Sequence, residues 1–248
     1  MNFAPLLLLA QVAPLSSIQV DGAERQYALF APTQASAHPP LVLCFHGHGG
    51  AARQAALQFG IHRHMPEAVV IYPQGLATAT RIDPQGAKRG WQIRAGQDGD
   101  RDVKLTKALI DFAIQNYHCD PSRVFAMGHS NGGFFCYVLW SEMPEKFAAF
   151  GPISGFNLGN PVNAPKPAFI GAGTQDKIVP MTGAWAKTLE GVLKLDREPS
   201  NPTQPGSPLS IYGAPNGLPV ETFIHDGSHR PPQDIFPAMV DFFRKVGG

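Results

Sequence analysis

The chain has 248 residues, 44% hydrophobic and 16% charged, a balance that builds a large apolar core and excludes a disordered or fibrous chain. Its formal net charge is +1 and no block of like charge appears, which argues against nucleic acid or an anionic membrane as partner. The length suits a single domain over residues 15–248, and oligomeric state is left open.

The N-terminal run Phe3 to Pro14 contains Leu6-Leu7-Leu8-Leu9 and is too short to span a bilayer. Its length suits the apolar core of an export signal, yet no Lys or Arg precedes it, and Pro14 disfavours cleavage after Ala13. Residues 1–14 therefore read as a signal-like segment or an N-terminal extension. A secreted or periplasmic location and a cytoplasmic one both stay open. Leu15 to Val20 and Arg25 to Ala31 read as an antiparallel hairpin around Asp21-Gly22. Leu41 to Phe45 is apolar throughout, as a strand buried on both faces of a parallel sheet must be. It ends in His46-Gly47-His48-Gly49-Gly50, and a helix is expected from Ala51 to Phe59. Ala68 to Tyr72 reads as a strand, and Ile82 to Arg101 as a long loop carrying Trp91.

Val103 to Tyr117 has apolar residues at helical spacing. The strand Arg123 to Met127 leads through Gly128-His129-Ser130-Asn131-Gly132 into a helix that ends near Met143, before Pro144. Phe147 to Ile153 and Ala168 to Ala172 are short strands, Gly183 to Leu195 a helix, Val220 to Ile224 a strand and Ile235 to Val246 a helix. Strands alternating with helices in this way predict an α/β fold: a mainly parallel sheet with helices on both faces, preceded by the antiparallel hairpin. Residues 196–219, rich in proline, read as a surface excursion or a rim over a site. Cys44, Cys119 and Cys136 are odd in number and read as buried free thiols, with a disulfide involving Cys119 as the other reading.

Gly-x-Ser-x-Gly between a strand and a helix is the setting of a nucleophile elbow. A serine hydroxyl needs a base to take its proton and an acid to orient that base. On such a sheet the partners follow in the order Ser, acid, His. Asp176, in a Gly-rich bend after the Ala168 strand, fits the acid; Asp226 is weaker, and Asp234 reads as the cap of the last helix. His229, after the Val220 strand, fits the base better than His225, which still belongs to the strand end. The turn His46 to Gly50 suits one oxyanion donor, taken as the His48 N–H with Gly47 or Gly49 as alternatives; the Asn131 N–H is the other. His46 and His48 could instead ligate a metal, but no further ligand cluster accompanies them, so neither metal nor cofactor is expected. His62 and His64 read as surface residues. Trp91, Phe156 and Trp185 are candidate substrate contacts, with ordinary packing as the alternative.

The set resembles the α/β-hydrolase superfamily, and within it the polyhydroxybutyrate depolymerase, feruloyl esterase and acetylxylan esterase group. The resemblance runs over about residues 25–246. It rests on Arg25-Gln26-Tyr27 with Pro32, His46 to Gly50, Tyr72-Pro73-Gln74-Gly75, Gly90-Trp91 and Asp102-Val103. Asp120 to Val124, Gly128 to Gly133, Gly173 to Asp176 with Val179-Pro180, and Gly227-Ser228-His229 complete it. It implies a serine carboxylic-ester hydrolase acting through an acyl-enzyme. Many relatives carry Trp-Pro just after the histidine, where this chain has Arg230-Pro231-Pro232. That departure favours a small or oligomeric ester over a polymer. A peptidase of the same fold, and a binding protein on a hydrolase scaffold, are the other classes open.

Overall fold

The computed structural model describes residues 14–213 and 218–248; the leucine run and part of the Pro-rich excursion fall outside them. A hairpin, β1 (Leu15–Val20) and β2 (Ala23–Phe30), starts the fold. Then come β3 (Leu41–Phe45), α1 (Ala52–Phe59), α2 (Ile61–His64), β4 (Val69–Pro73), and a small ribbon of β5 (Leu76–Ala77) and β6 (Arg89–Gly90). Next are α3 (Arg101–Tyr117), β7 (Val124–His129), α4 (Asn131–Glu142), β8 (Ala149–Ile153) and β9 (Ala168–Gly173). The chain finishes with α5 (Gly183–Asp196), β10 (Leu209–Tyr212), β11 (Val220–His225) and α6 (Ile235–Val246).

Nine strands form one sheet in the order β1-β2-β4-β3-β7-β8-β9-β11-β10. The run from β4 to β11 is parallel; β1, β2 and β10 are antiparallel at the edges. Alternation explains why β3 and β7 carry no polar face. Leu41, Leu43 and Phe45 enter the core under α3, α4 and α5, while Val42 and Cys44 enter the core under α1 and α6. Val124 and Ala126 face the first core, Phe125 and Met127 the second.

Several expectations are corrected. β10 was not expected. It lies within the Pro-rich excursion, pairs antiparallel with β11 and closes the sheet edge. His62 is half-buried rather than freely solvated: its ring stacks on Phe30 at 3.7 Å and its Nδ1 lies 3.0 Å from the Tyr72 hydroxyl. Burial first, with Arg63 beside it, lowers the His62 pKa to about 4. The cysteine expectation, by contrast, holds: Cys44, Cys119 and Cys136 are buried free thiols, and the alternative of a disulfide at Cys119 is not formed. Asp234 sits at the N-cap of α6 but its side chain makes no capping bond. Among the described residues no helix is long and apolar enough to cross a membrane.

Candidate active site at the carboxyl end of the sheet

Ser130 occupies the turn between β7 and α4 with φ 57° and ψ −116°, a left-handed conformation costly for a residue with a side chain. Its N–H donates to the Ile153 carbonyl at 2.9 Å, which ties the turn to β8. The flanking glycines are a packing requirement. A Cβ at Gly128 would run into the Gly132 carbonyl, and one at Gly132 into the Phe45 carbonyl. A Cβ at Gly133 would stand 2.6 Å from the Ile153 oxygen.

Asp176 follows β9 and is buried, at 4% exposure. Its Oδ1 accepts the N–H groups of Ile178 (2.9 Å) and Val179 (2.8 Å), and its Oδ2 accepts Nδ1–H of His229 at 2.7 Å. Burial by itself would raise this carboxyl, but the bonds from Val179, His229 and Ile178 outweigh it and hold the pKa below the ordinary value. The loop after β11 is laced to the loop after β9 by Thr174 N–H to the His225 carbonyl (3.0 Å) and Gln175 N–H to the Gly227 carbonyl (2.9 Å). Gly173 permits this approach, since a Cβ there would lie 2.5 Å from the Gly227 oxygen. With Nδ1–H given to the carboxylate, the His229 Nε2 keeps its lone pair.

His229 and Ser130 line one cleft of about 230 Å³, whose other walls are the turn His46 to Gly50, α1 and His129. The Pro-rich excursion contributes no described residue to that cleft. His225 stays at the end of β11 with its Nε2 unpartnered among the described residues, and does not meet Asp176. Asp226 binds Thr174 and Gln175 instead.

Opposite the acid and base, Gly47 lies against the elbow: a Cβ there would be 3.4 Å from Ser130 Cβ. The Gly49 N–H is spent on the Arg89 carbonyl at 2.7 Å and the Gly50 N–H on the Gly47 carbonyl at 3.0 Å. That leaves Gly47 and His48 with N–H groups for the cleft. Asn131 opens α4, so its N–H has no intrahelical partner. The His48 ring points away from a donor role, with its Nε2–H on Asp83 Oδ2 at 3.0 Å.

Two histidines next to this site, His129 and His46, brace its backbone. His129 Nε2–H donates to the His229 carbonyl at 2.8 Å, so the residue before the serine holds the backbone of the base. His46 links its Nδ1–H to the Gly47 carbonyl (2.8 Å) and accepts the Gly75 N–H on Nε2 (3.0 Å). Burial lowers both to about 4, so both are neutral near pH 7. The His-x-His pair is thus engaged by protein groups, and among the described residues no cluster of three or more His, Cys, Asp or Glu could hold a metal. Trp91 and Trp185 are corrected as substrate contacts: both are buried, Trp91 at 0% exposure, and neither lines the cleft. Phe156 is half-buried, packed edge-on against Phe134 at 5.0 Å, and does not line the cleft either.

This sheet order, with a serine at the β7–α4 elbow, is the α/β-hydrolase fold. An acetyl xylan esterase from Aspergillus awamori superposes with a TM-score of 0.70 over 94% of this chain and 100% of its own, at 15% identity. The chain is similar to a bifunctional acetylxylan esterase/xylanase of Neocallimastix patriciarum, 29% identical over 72% of this chain and 24% of the relative. It is similar to a putative esterase of Nocardia uniformis subsp. tsuyamanensis, 29% identical over 75% of this chain and 55% of the relative. The chain therefore spans about half or less of the length of these curated relatives. The model of the prolyl oligopeptidase family matches residues 77–158, which include the elbow.

Proposed function

We propose that the protein is a serine carboxylic-ester hydrolase. The reading is carried by the 2.7 Å bond from His229 to Asp176 beside a cleft that Ser130 shares with His229. Ser130 Oγ attacks the ester carbonyl carbon while its proton passes to His229 Nε2. The carbonyl oxygen becomes an oxyanion held by the N–H groups of Asn131 and His48. Collapse breaks the bond to the alcohol oxygen, which takes the proton from His229, and the acyl group stays on Ser130. Water then gives a proton to the same nitrogen, attacks the acyl carbon and releases the acid with regeneration of the serine. Asp176 holds the tautomer and stabilises the imidazolium.

The acetylxylan esterase activity named for the Neocallimastix relative and the modest volume of the cleft, about 230 Å³, favour a small or oligomeric ester, of acetyl, feruloyl or hydroxyalkanoate type. Ser130→Ala should abolish hydrolysis of p-nitrophenyl acetate and labelling by a fluorophosphonate, with the circular dichroism unchanged. Retained turnover in that variant would remove the proposal. The prolyl oligopeptidase match favours one second reading, amide hydrolysis, since the same groups can attack a peptide. Cleavage of a peptidyl-prolyl anilide at rates comparable to esters would establish it.

A further inference from the structure

Trp91 lies beneath the site and touches both halves of the oxyanion hole. Its indole Nε1–H donates to the His46 carbonyl at 2.8 Å, the residue that begins the turn to Gly47 and His48. Its own N–H donates to Asn131 Oδ1 at 2.6 Å, and Asn131 Nδ2–H returns to the Trp91 carbonyl at 3.1 Å. The ring is wedged edge-on to Phe45 at 5.2 Å and stacked on Phe135 at 5.7 Å. Gly90, just before it, fits between the two donor residues: a Cβ there would stand 2.8 Å from both Asn131 Oδ1 and His48 Nδ1. The strand is anchored from behind by Gln92 N–H on Asp102 Oδ2 (3.0 Å), and Asp102 pairs with buried Arg25 at 2.8 Å.

We propose that Trp91 is the positioning residue of the oxyanion hole. The β3–β7 ladder holds register as far as Phe45 and Gly128, and beyond its end one buried residue ties the β3 turn that carries one donor N–H to the start of α4 that carries the other. An oxyanion hole stabilises only charge that develops at the right place, so a shift of either donor acts on kcat more than on KM. The inference rests on the ester-hydrolase reading.

Trp91→Phe keeps the stacked ring and removes the bond to His46. It should lower kcat for p-nitrophenyl acetate about 10- to 100-fold with KM within about twofold. Affinity for a trifluoromethyl ketone, which forms a tetrahedral adduct with Ser130, should fall by the same factor. Asn131→Ala cuts the other arm from outside the aromatic cluster and should act in the same direction. The double variant should lose less than the product of the two. Unchanged kcat, or a lower kcat with undiminished ketone affinity, would overturn the role of Trp91. Absence of ester turnover and ketone binding in the wild type would overturn the hydrolase reading, and this role with it.

A separate observation lies on the open side of the cleft. Gln54 and Gln58 of α1 continue it into a groove of about 560 Å³ lined also by Leu57, Arg230 and Gln233. Arg230 is exposed, and among the described residues no hydrogen bond or ion pair engages it. Neither the cleft nor the groove is lined by a carboxylate. The geometry points to esters that carry a carboxylate on one arm, read by the Arg230 guanidinium one residue from the base. This too rests on the hydrolase reading. Acetylated 3-hydroxybenzoate against acetylated 3-hydroxybenzamide tests the alcohol arm, and monomethyl adipate against methyl adipamate the acyl arm. One pair should show about a three- to tenfold preference in kcat/KM for the anion, weakened by 0.5 M salt and lost in Arg230→Gln. Equal ratios in wild type and variant would overturn it. Failure to cleave any of the four would instead count against the hydrolase reading.

Discussion

The two sides of the cleft are held by different physics. On the donor side, the groups next to the donors are uncharged and buried: Trp91 grips the His46 carbonyl and Asn131, and neutral His46 binds the Gly47 and Gly75 backbone, with the Arg25–Asp102 ion pair bracing them only from behind through Gln92. On the acid–base side a charge is stabilised: the Asp176 carboxylate collects three N–H donors, one of them the base. The donor side is rigid because its aromatic packing leaves no room. The acid–base side keeps its geometry through an ionised group whose other bonds are all filled. The first should therefore be sensitive to volume and to deleted donors, the second to charge.

The largest expected effect comes from removing that charge. Asp176→Asn should lower kcat about 10³- to 10⁴-fold with the fold intact, because an amide can set the wrong imidazole tautomer. A stopped assay with p-nitrophenyl acetate decides it, and a loss under tenfold would mean that the 2.7 Å bond is ornamental.

Volume is the next lever. Gly132→Ala forces β3 and α4 apart, since its Cβ meets the Phe45 carbonyl. A loss of about 2–4 kcal/mol in stability is expected from urea unfolding, together with loss of turnover. Stability equal to wild type would show that the two backbones can part cheaply.

The histidines link both sides to pH. His46, His62 and His129 have folded values near 4, below the ordinary 6.5. Between those values the unfolded chain binds protons that the folded chain refuses. Burial pushes Asp196 up to about 7, which offsets about one of the three over the same range. Stability should therefore fall as pH drops from about 6.5 to about 4, by up to about 1.4 kcal/mol per unit for each histidine not offset, and by less for half-buried His62, whose charge water screens. Asp176, held below its ordinary range, should add a further loss only at lower pH, as its carboxylate is protonated. Thermal melts at a series of pH values would test the order, and a flat profile from 6.5 to 4 would contradict the buried neutral state. The smallest effect is expected at Asp226, an exposed carboxylate beside the site that binds only Thr174 and Gln175. Asp226→Asn should leave kcat within about twofold, in contrast to its neighbour at 176.

Much of the fold was legible because parallel strands buried on both faces are apolar throughout, as in Leu41 to Phe45. The site candidates were legible for another reason. An elbow needs small residues around the serine, and a fixed chain order of strands puts the later acid and base on the same rim. Less visible were features set by distant partners. β10 has four residues and no signal of its own; it exists because β11 leaves an open edge. Trp91 in a Gly-rich loop reads equally as a substrate contact or as core, and its burial depends on Phe45 and Phe135 arriving from elsewhere. His62 looked solvated because its neighbours in sequence are polar, although Phe30 and Tyr72 cover it.

The sequence alone determined the α/β order of strands and helices, the need for glycine around Ser130, and which serine, carboxylate and histidine stand at strand ends. Local periodicity and turn chemistry carry that information. Only the tertiary structure decided that Asp176 rather than Asp226 meets His229, that His129 grips the backbone of His229, and that Trp91 spans the two donor loops. Those choices are made by hydrogen bonds between residues tens of positions apart, and their partners come within reach only once the sheet has been assembled.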